Sequence, residues 1–158
     1  MKNKSAYEQA LTLLEFRARS IAELRRQLLR RAVPSIEVDE AIARLREQRL
    51  LDDDDFAREF ARTKVLGAGT SRRRIVQELS RKGVARDVAD RALTELREQD
   101  GVDPSDGIFR VAKKKWASLA RLDEATRRRR LYAFLARRGF DPDEIRRAMQ
   151  SVGADLDG

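Results

Sequence analysis

Cysteine and histidine are both absent from this chain of 158 residues. The first absence excludes disulfides and thiol chemistry. The second removes the commonest metal ligand and the commonest general base. Aromatic residues make up only 6%, so no large aromatic core is expected. No apolar run approaches the roughly 20 residues that a membrane-spanning helix needs. The opening stretch MKNKSAYEQA has no apolar core of the signal-peptide kind. The expectation is a soluble, cytoplasmic protein that is not an enzyme and holds no cofactor or metal.

Charge is what the chain has in excess. Asp, Glu, Lys and Arg make up 39% of it, and the net charge is +8, against roughly 25% charged residues in an average globular domain. A basic balance of this size points to polyanionic partners such as nucleic acid or acidic protein surfaces. The excess sits at the two ends. Residues 1–51 and 102–158 carry +4 each, and residues 52–101 are neutral.

The apolar residues recur at helical spacing, which separates the chain from a disordered polyampholyte. Ile75 and Leu79 lie four apart, Gly83-Val84 breaks the run, and Ala89, Ala92, Leu93 and Leu96 resume it. Fifty-one residues earlier the same register holds Leu24, Leu28, Ala32-Val33, Val38, Ala41, Ile42 and Leu45. Fifty-six residues later it holds Leu131, Leu135, Gly139-Phe140, Ile145, Ala148, Met149 and Val152. Three occurrences at near-constant spacing indicate an internal repeat. With one more helix ahead of each pair, the reading is all-α: three tandem three-helix units, helix-turn-helix-like, in an elongated array. Their expected extents are 1–51, 52–101 and 102–152, followed by a disordered tail over 153–158.

Local signals support these elements. Ser20 with Glu23 forms a capping box, and Pro34 stops the second helix before Val33. Gly83 stands where a left-handed C-cap is wanted, and Asp141-Pro142 opens the last helix. The fourth helix is expected to bury Phe56, Phe60 and Val65, and the seventh to place Ile108, Phe109, Ala112 and Trp116 on one face. The acidic run Asp52–Asp55 reads as helix capping rather than as a metal site. Gly67-Ala68-Gly69-Thr70 lacks the Gly-Lys-Ser/Thr ending of a phosphate loop and reads as a turn.

The candidate binding residues are basic. Pairs recur near the end of each second helix: Arg30-Arg31, Arg81-Lys82 and Arg137-Arg138. Cations there complement the helix dipole by about 0.3–1 kcal/mol each, so a structural use is open beside a binding one. Arg72, Arg73 and Arg74, and Arg127, Arg128, Arg129 and Arg130, are expected in first turns, where cations oppose the dipole and an anionic partner explains them better. Their alternative is a solvated face with i,i+4 pairs. Lys113, Lys114 and Lys115 precede Trp116, which suits either a stacking patch or core packing. Nucleic-acid contacts from such clusters would go to the backbone, with strong salt dependence and little sequence preference.

The segments ALTLLEFRARSIAELRRQLLRRAV, LLDDDDFAREFARTK and SRRRIVQELSRKGV, in this order, make the chain resemble the RecX family, bacterial regulators of the RecA recombinase. The most specific parts are Arg17-Ala18-Arg19-Ser20 leading into Glu23-Leu24, Leu51-Asp52-Asp53 before Phe56, and the Leu79-Lys82-Gly83 turn. The resemblance runs from about Ala6 to Val152, with Ala32 standing where the first turn would carry glycine. It implies a non-enzymatic protein that binds RecA–DNA filaments and restrains strand exchange, ATP hydrolysis and co-proteolytic cleavage of the SOS repressor. On that reading Arg72, Arg73, Arg74, Arg81, Lys82, Lys113, Lys114, Lys115, Arg127–Arg130, Arg137 and Arg138 are the candidate contacts to recombinase or to single- or double-stranded DNA. The competing reading is an autonomous DNA-binding protein that holds the phosphate backbone. A monomer is expected, because the chain is highly charged and has no long apolar face.

Overall fold

The structure, a computed structural model, describes residues 2–154. Among them are nine helices: α1 (Ala6–Phe16), α2 (Ile21–Arg30), α3 (Ser35–Glu47), α4 (Asp53–Leu66), α5 (Arg72–Arg81), α6 (Arg86–Asp100), α7 (Pro104–Ser118), α8 (Glu124–Arg137) and α9 (Pro142–Ala154). No strand occurs among the described residues. Helix α9 takes in Gly153 and Ala154, two residues past the end expected at Val152; residues 155–158 of the expected tail lie outside the described residues.

The helices form because short caps and small turns close them at regular intervals. Ser5 with Glu8 and Ser20 with Glu23 make reciprocal capping boxes at the starts of α1 and α2. The Ser71 hydroxyl accepts from the Arg74 amide, and Asp123 and Asp141 do the same for Thr126 and Glu144. The second helix of every repeat then ends alike. Val33, Val84 and Phe140 each donate a backbone N–H five residues back, to Leu28, Leu79 and Leu135. The residue before each is left-handed: Ala32 at φ 59°, Gly83 at 77° and Gly139 at 92°. This is a Schellman closure, in which the apolar residue after the turn folds back onto the helix it ends. Val33, Val84 and Phe140 are all buried.

The chain packs into two compact units: residues through Glu59 together with Glu78–Ala92, and Phe60–Gln77 together with Leu93 onward. The middle three helices are therefore shared between the two. In the first unit, Ala10, Leu24, Leu28, Val38 and Leu45 form a core closed by Leu51. In the second, Ile108, Ala112, Trp116, Leu131, Leu135, Phe140 and Ile145 do so. Burying each such Leu or Ile contributes about 1.5–3 kcal/mol, which offsets the ordering cost of short helices that would be marginal alone.

Two expectations about packing change. In α4 the buried residues are Ala57, Ala61 and Val65, whereas Phe56 and Phe60 are half-buried. The small side chains lie inward, one position on from the aromatics. In α7, Ile108, Ala112 and Trp116 are buried, but Phe109 is 39% exposed. It lies about 100° around the helix from Ile108 and falls off the buried stripe.

Candidate functional site

The acidic run Asp52–Asp55 is consumed by structure. The Asp52 carboxylate accepts the amides of Asp54 and Asp55 at 2.8 and 3.4 Å, capping α4. Asp53 accepts the Ile21 amide at 2.9 Å, and burial pushes its carboxyl above the ordinary aspartate range, with that hydrogen bond opposing. Asp54 takes a two-pronged bond from Arg91 at 2.7 and 3.0 Å. No group of three or more metal-type ligands is placed together among the described residues.

The basic candidates divide between the two units. Arg81 and Lys82 belong to the first; the other twelve belong to the second. Lys82 is structural there: its ammonium pairs with Glu23 at 2.9 Å, and its carbonyl accepts the Ser20 hydroxyl. Arg81 is exposed.

In the second unit several candidate cations hold their own backbone. The Arg127 guanidinium lies 3.7 Å over the Trp116 ring and donates to the Trp116 carbonyl at 2.6 and 3.0 Å. Trp116 is itself only 7% exposed, so core packing and not stacking on a partner is its use. Arg74 donates to the Arg137 carbonyl at 2.8 Å. Arg128 pairs with Glu124 at 2.8 Å, and Arg129 reaches the Thr126 hydroxyl at 3.3 Å.

The two arginine clusters sit differently along their helix dipoles. Helix α5 starts at Arg72, so Arg72–Arg74 occupy its first turn as expected. Helix α8 starts at Glu124 behind the Asp123 cap, ahead of its cluster, so the first-turn expectation for the whole cluster does not hold. Arg128, Arg129 and Arg130 therefore fall in its second turn, where the helix dipole no longer opposes them. Among the described residues the side chains of Arg73, Lys113, Lys114, Arg130 and Arg137 are exposed and meet no ion-pair or hydrogen-bond partner.

One concave feature collects several of these charges. A cavity of about 350 Å³ in the second unit is lined by Arg110, Lys114, Lys115 and Arg138, with the Phe134 ring between them and the Gly67-Ala68 backbone at its rim. The rim is brought close by two small residues. A Cβ at Gly69 would lie 2.8 Å from the Gly107 carbonyl and 2.7 Å from Val111, so the segment after α4 lies directly against α7. Arg110 is fixed by donating to the Val65 carbonyl at 2.7 Å. Arg138 donates to the Ala68 carbonyl at 2.7 Å and stacks 4.7 Å from the Phe134 centroid. Lys115 lies 5.0 Å from the same centroid. Neither Arg110 nor Phe134 stands in a basic run, so charge clustering along the chain does not single them out. The available signal is spacing: Arg110 and Lys114 are i,i+4 on α7, and Phe134 and Arg138 are i,i+4 along α8 and its cap.

Comparison with known proteins places this chain in a family. Models of the first, second and third three-helix domains of RecX match residues 6–45, 52–93 and 106–149. The regulatory protein RecX of Pelodictyon phaeoclathratiforme is 37% identical, over 94% of this chain and 91% of its own length. That of Chlorobium limicola is 36% identical, over 89% and 84%. The crystal structure of RecX from Lactobacillus salivarius superposes with a TM-score of 0.79 over 94% of this chain and 95% of that one, at 21% identity, which is a likeness of fold. No described helix is long and apolar enough to cross a membrane. With all three domain models matched in order and two relatives aligned over most of their lengths, this chain belongs to the RecX family of regulatory proteins.

Proposed function

We propose that the chain is a non-enzymatic regulator that binds RecA–DNA filaments and lowers the ATPase, strand-exchange and co-protease activities of the recombinase, thereby modulating DNA repair and the SOS response. The observation that carries this reading is the family match, which extends over three consecutive domains. The charge pattern supports it: Arg73, Lys113, Lys114, Arg130 and Arg137 are exposed and have no partner of their own among the described residues. Cations left unneutralised in a chain this rich in carboxylates suit a polyanionic partner. On this reading the protein acts in the cytoplasm as a monomer. The three repeats, 1–51, 52–101 and 102–152, each add modest contacts whose combined strength comes from effective concentration.

The test is the single-stranded-DNA-dependent ATPase of the cognate recombinase, titrated with this protein at two salt concentrations. Inhibition well below one protein per recombinase subunit is expected, weaker at the higher salt. The Arg73→Glu, Arg130→Glu double variant is expected to weaken inhibition by roughly tenfold with an unchanged circular dichroism spectrum. Full inhibition by that variant would remove these two residues as contacts. A wild-type chain that leaves the ATPase untouched but shifts naked DNA would replace the reading with that of an autonomous DNA-binding protein.

A further inference from the structure

The groove lined by Arg110, Lys114, Lys115 and Arg138 is unusual for this chain in one respect: it brings cations together without carboxylates. Several arginines elsewhere are neutralised by acids, as in Arg25–Asp39, Arg91–Asp54 and Arg146–Asp143. In the groove no acidic side chain contributes to the lining, and among the described residues none of the four cations has an ion-pair partner. Four like charges converging on one concavity repel each other, and concave walls of low dielectric strengthen the field they produce. The bonds of Arg110 and Arg138 to the Val65 and Ala68 carbonyls hold these side chains in place, but no group of the lining offsets their charge. A bound anion does.

The geometry also says how long the anion is. Arg110, Lys114 and Ser118 follow one another at intervals of four along α7, which makes a stripe about 12 Å long at roughly 1.5 Å per residue. Arg138 and Phe134 close the opposite wall. A single carboxylate meets one end of such a stripe. Successive phosphates, about 3.4 Å apart along the axis of a nucleic-acid strand, meet all of it. The two arginines are held in place beforehand, each committing one N–H donor to a backbone carbonyl and keeping others free. Those remaining donors face a ligand with little side-chain freedom left to lose.

We propose that this groove is an oligophosphate-binding site, in which Arg110 and Arg138 supply pre-oriented donors and Lys114 and Lys115 supply mobile charge. The phosphates come either from a nucleic-acid strand or from a free oligophosphate, and the two are separable by experiment. The proposal goes beyond the recombinase reading and is tested without recombinase, so that failure of one leaves the other standing.

The experiment is calorimetric titration of this chain with inorganic tripolyphosphate, and separately with a single-stranded oligothymidylate, for the wild type, Lys114→Gln and Arg147→Gln. Arg147 is the control: it is an exposed cation of the same unit, of equal charge, that does not line the groove and is not among the candidate contacts. The expected result is binding that Lys114→Gln weakens by roughly tenfold and Arg147→Gln leaves unchanged. For the oligothymidylate, the salt slope of the wild type should fall by about 0.7 in Lys114→Gln, the loss of one phosphate contact on a single strand. Competition between the two probes assigns the groove to a strand; tripolyphosphate binding without competition assigns it to a free oligophosphate. Equal losses in the two variants, no binding of either probe, or Lys114-dependent binding of a glutamate-rich peptide alone would each overturn the proposal.

Discussion

The turns that follow α2 and α5 share a backbone conformation and a hydrogen-bond pattern, and differ in what rests on them. Ala32 has φ 59° and Gly83 has φ 77°. Val33 and Val84 close the two turns with the same five-residue bond, at 3.2 and 3.0 Å. Ala32 is exposed. At Gly83, by contrast, an added Cβ would lie 2.3 Å from the Cβ of Ala22, in the first turn of α2. Beside that contact the Ser20 hydroxyl donates to the Lys82 carbonyl. The pattern recurs one repeat later in the second unit. There a Cβ at Gly139 would lie 2.9 Å from the Ser71 hydroxyl, which donates to the Arg138 carbonyl at 3.4 Å. In each case the turn of one repeat seats on the start of the preceding repeat's second helix. Among the described residues no repeat precedes the first, so nothing seats on Ala32. Glycine is thus kept for two reasons at Gly83, the dihedral and the seat, and only the dihedral applies at Ala32.

Replacing Gly83 tests both reasons at once and should have the largest effect. The left-handed conformation costs an L-residue about 1–2 kcal/mol, and forcing a methyl into the Ala22 contact costs about 1–3 kcal/mol more. Set against the roughly 0.4–1 kcal/mol by which alanine restricts the unfolded chain, these costs mean that Gly83→Ala should destabilise the protein by about 1–4.5 kcal/mol, read as a lower urea midpoint at an unchanged slope. A loss no greater than the dihedral cost alone would show that the seat on Ala22 yields freely, and that Gly83 and Ala32 differ less than their surroundings suggest.

A smaller effect probes the polar half of the same seat. Glu23 accepts from Lys82 at 2.9 Å and from Arg17 at 3.2 Å. Burial pushes its carboxyl up, but the hydrogen bonds from Lys82 and Arg17, with help from the Ser20 amide, outweigh burial and hold it below the ordinary glutamate range. The unfolded chain binds this proton more readily than the native one, so Glu23 contributes stability above its unfolded pKa of about 4.3. That contribution is lost as pH falls through the lowered native value. Glu23→Gln should lower stability at neutral pH and flatten this portion of the acid limb in a series of urea melts. An acid limb of unchanged steepness would count against the Lys82–Glu23–Arg17 network as a tie at this seat.

How much of this was legible in the chain depends on whether the cause was local. The turns, the capping box at Ser20 and the nine helices among the described residues follow from residues within a few positions of one another, and periodicity exposed them. The inward position of Ala57 and Ala61 ahead of Phe56 and Phe60 did not follow, because both pairs are four apart and periodicity alone does not choose between the two stripes. The same limit applied to the basic residues. Runs such as Arg127–Arg130 stand out in sequence, yet Arg127 holds the Trp116 carbonyl and Arg128 holds Glu124. Arg110 stands alone in sequence and lines the groove beside Lys114. A run of charge is visible from one dimension; convergence of charge is a property of three.

The smallest effect, and the one of opposite sign, belongs to Ala32. Its methyl is exposed, so removing it sacrifices no packing, while glycine adopts φ 59° without the steric cost that an L-residue bears. Against this, glycine gives the unfolded chain more freedom to lose, about 0.4–1 kcal/mol. The steric relief of about 1–2 kcal/mol exceeds that entropic cost, so Ala32→Gly should stabilise by about 0.5–1 kcal/mol, seen as a raised urea midpoint at an unchanged slope. The same alanine–glycine exchange would then carry opposite signs at two turns of one shape, which requires that the difference lie in the seat and not in the turn. Destabilisation by Ala32→Gly would instead mean that the Ala32 methyl is itself a contact, and the distinction between the first turn and the other two would collapse.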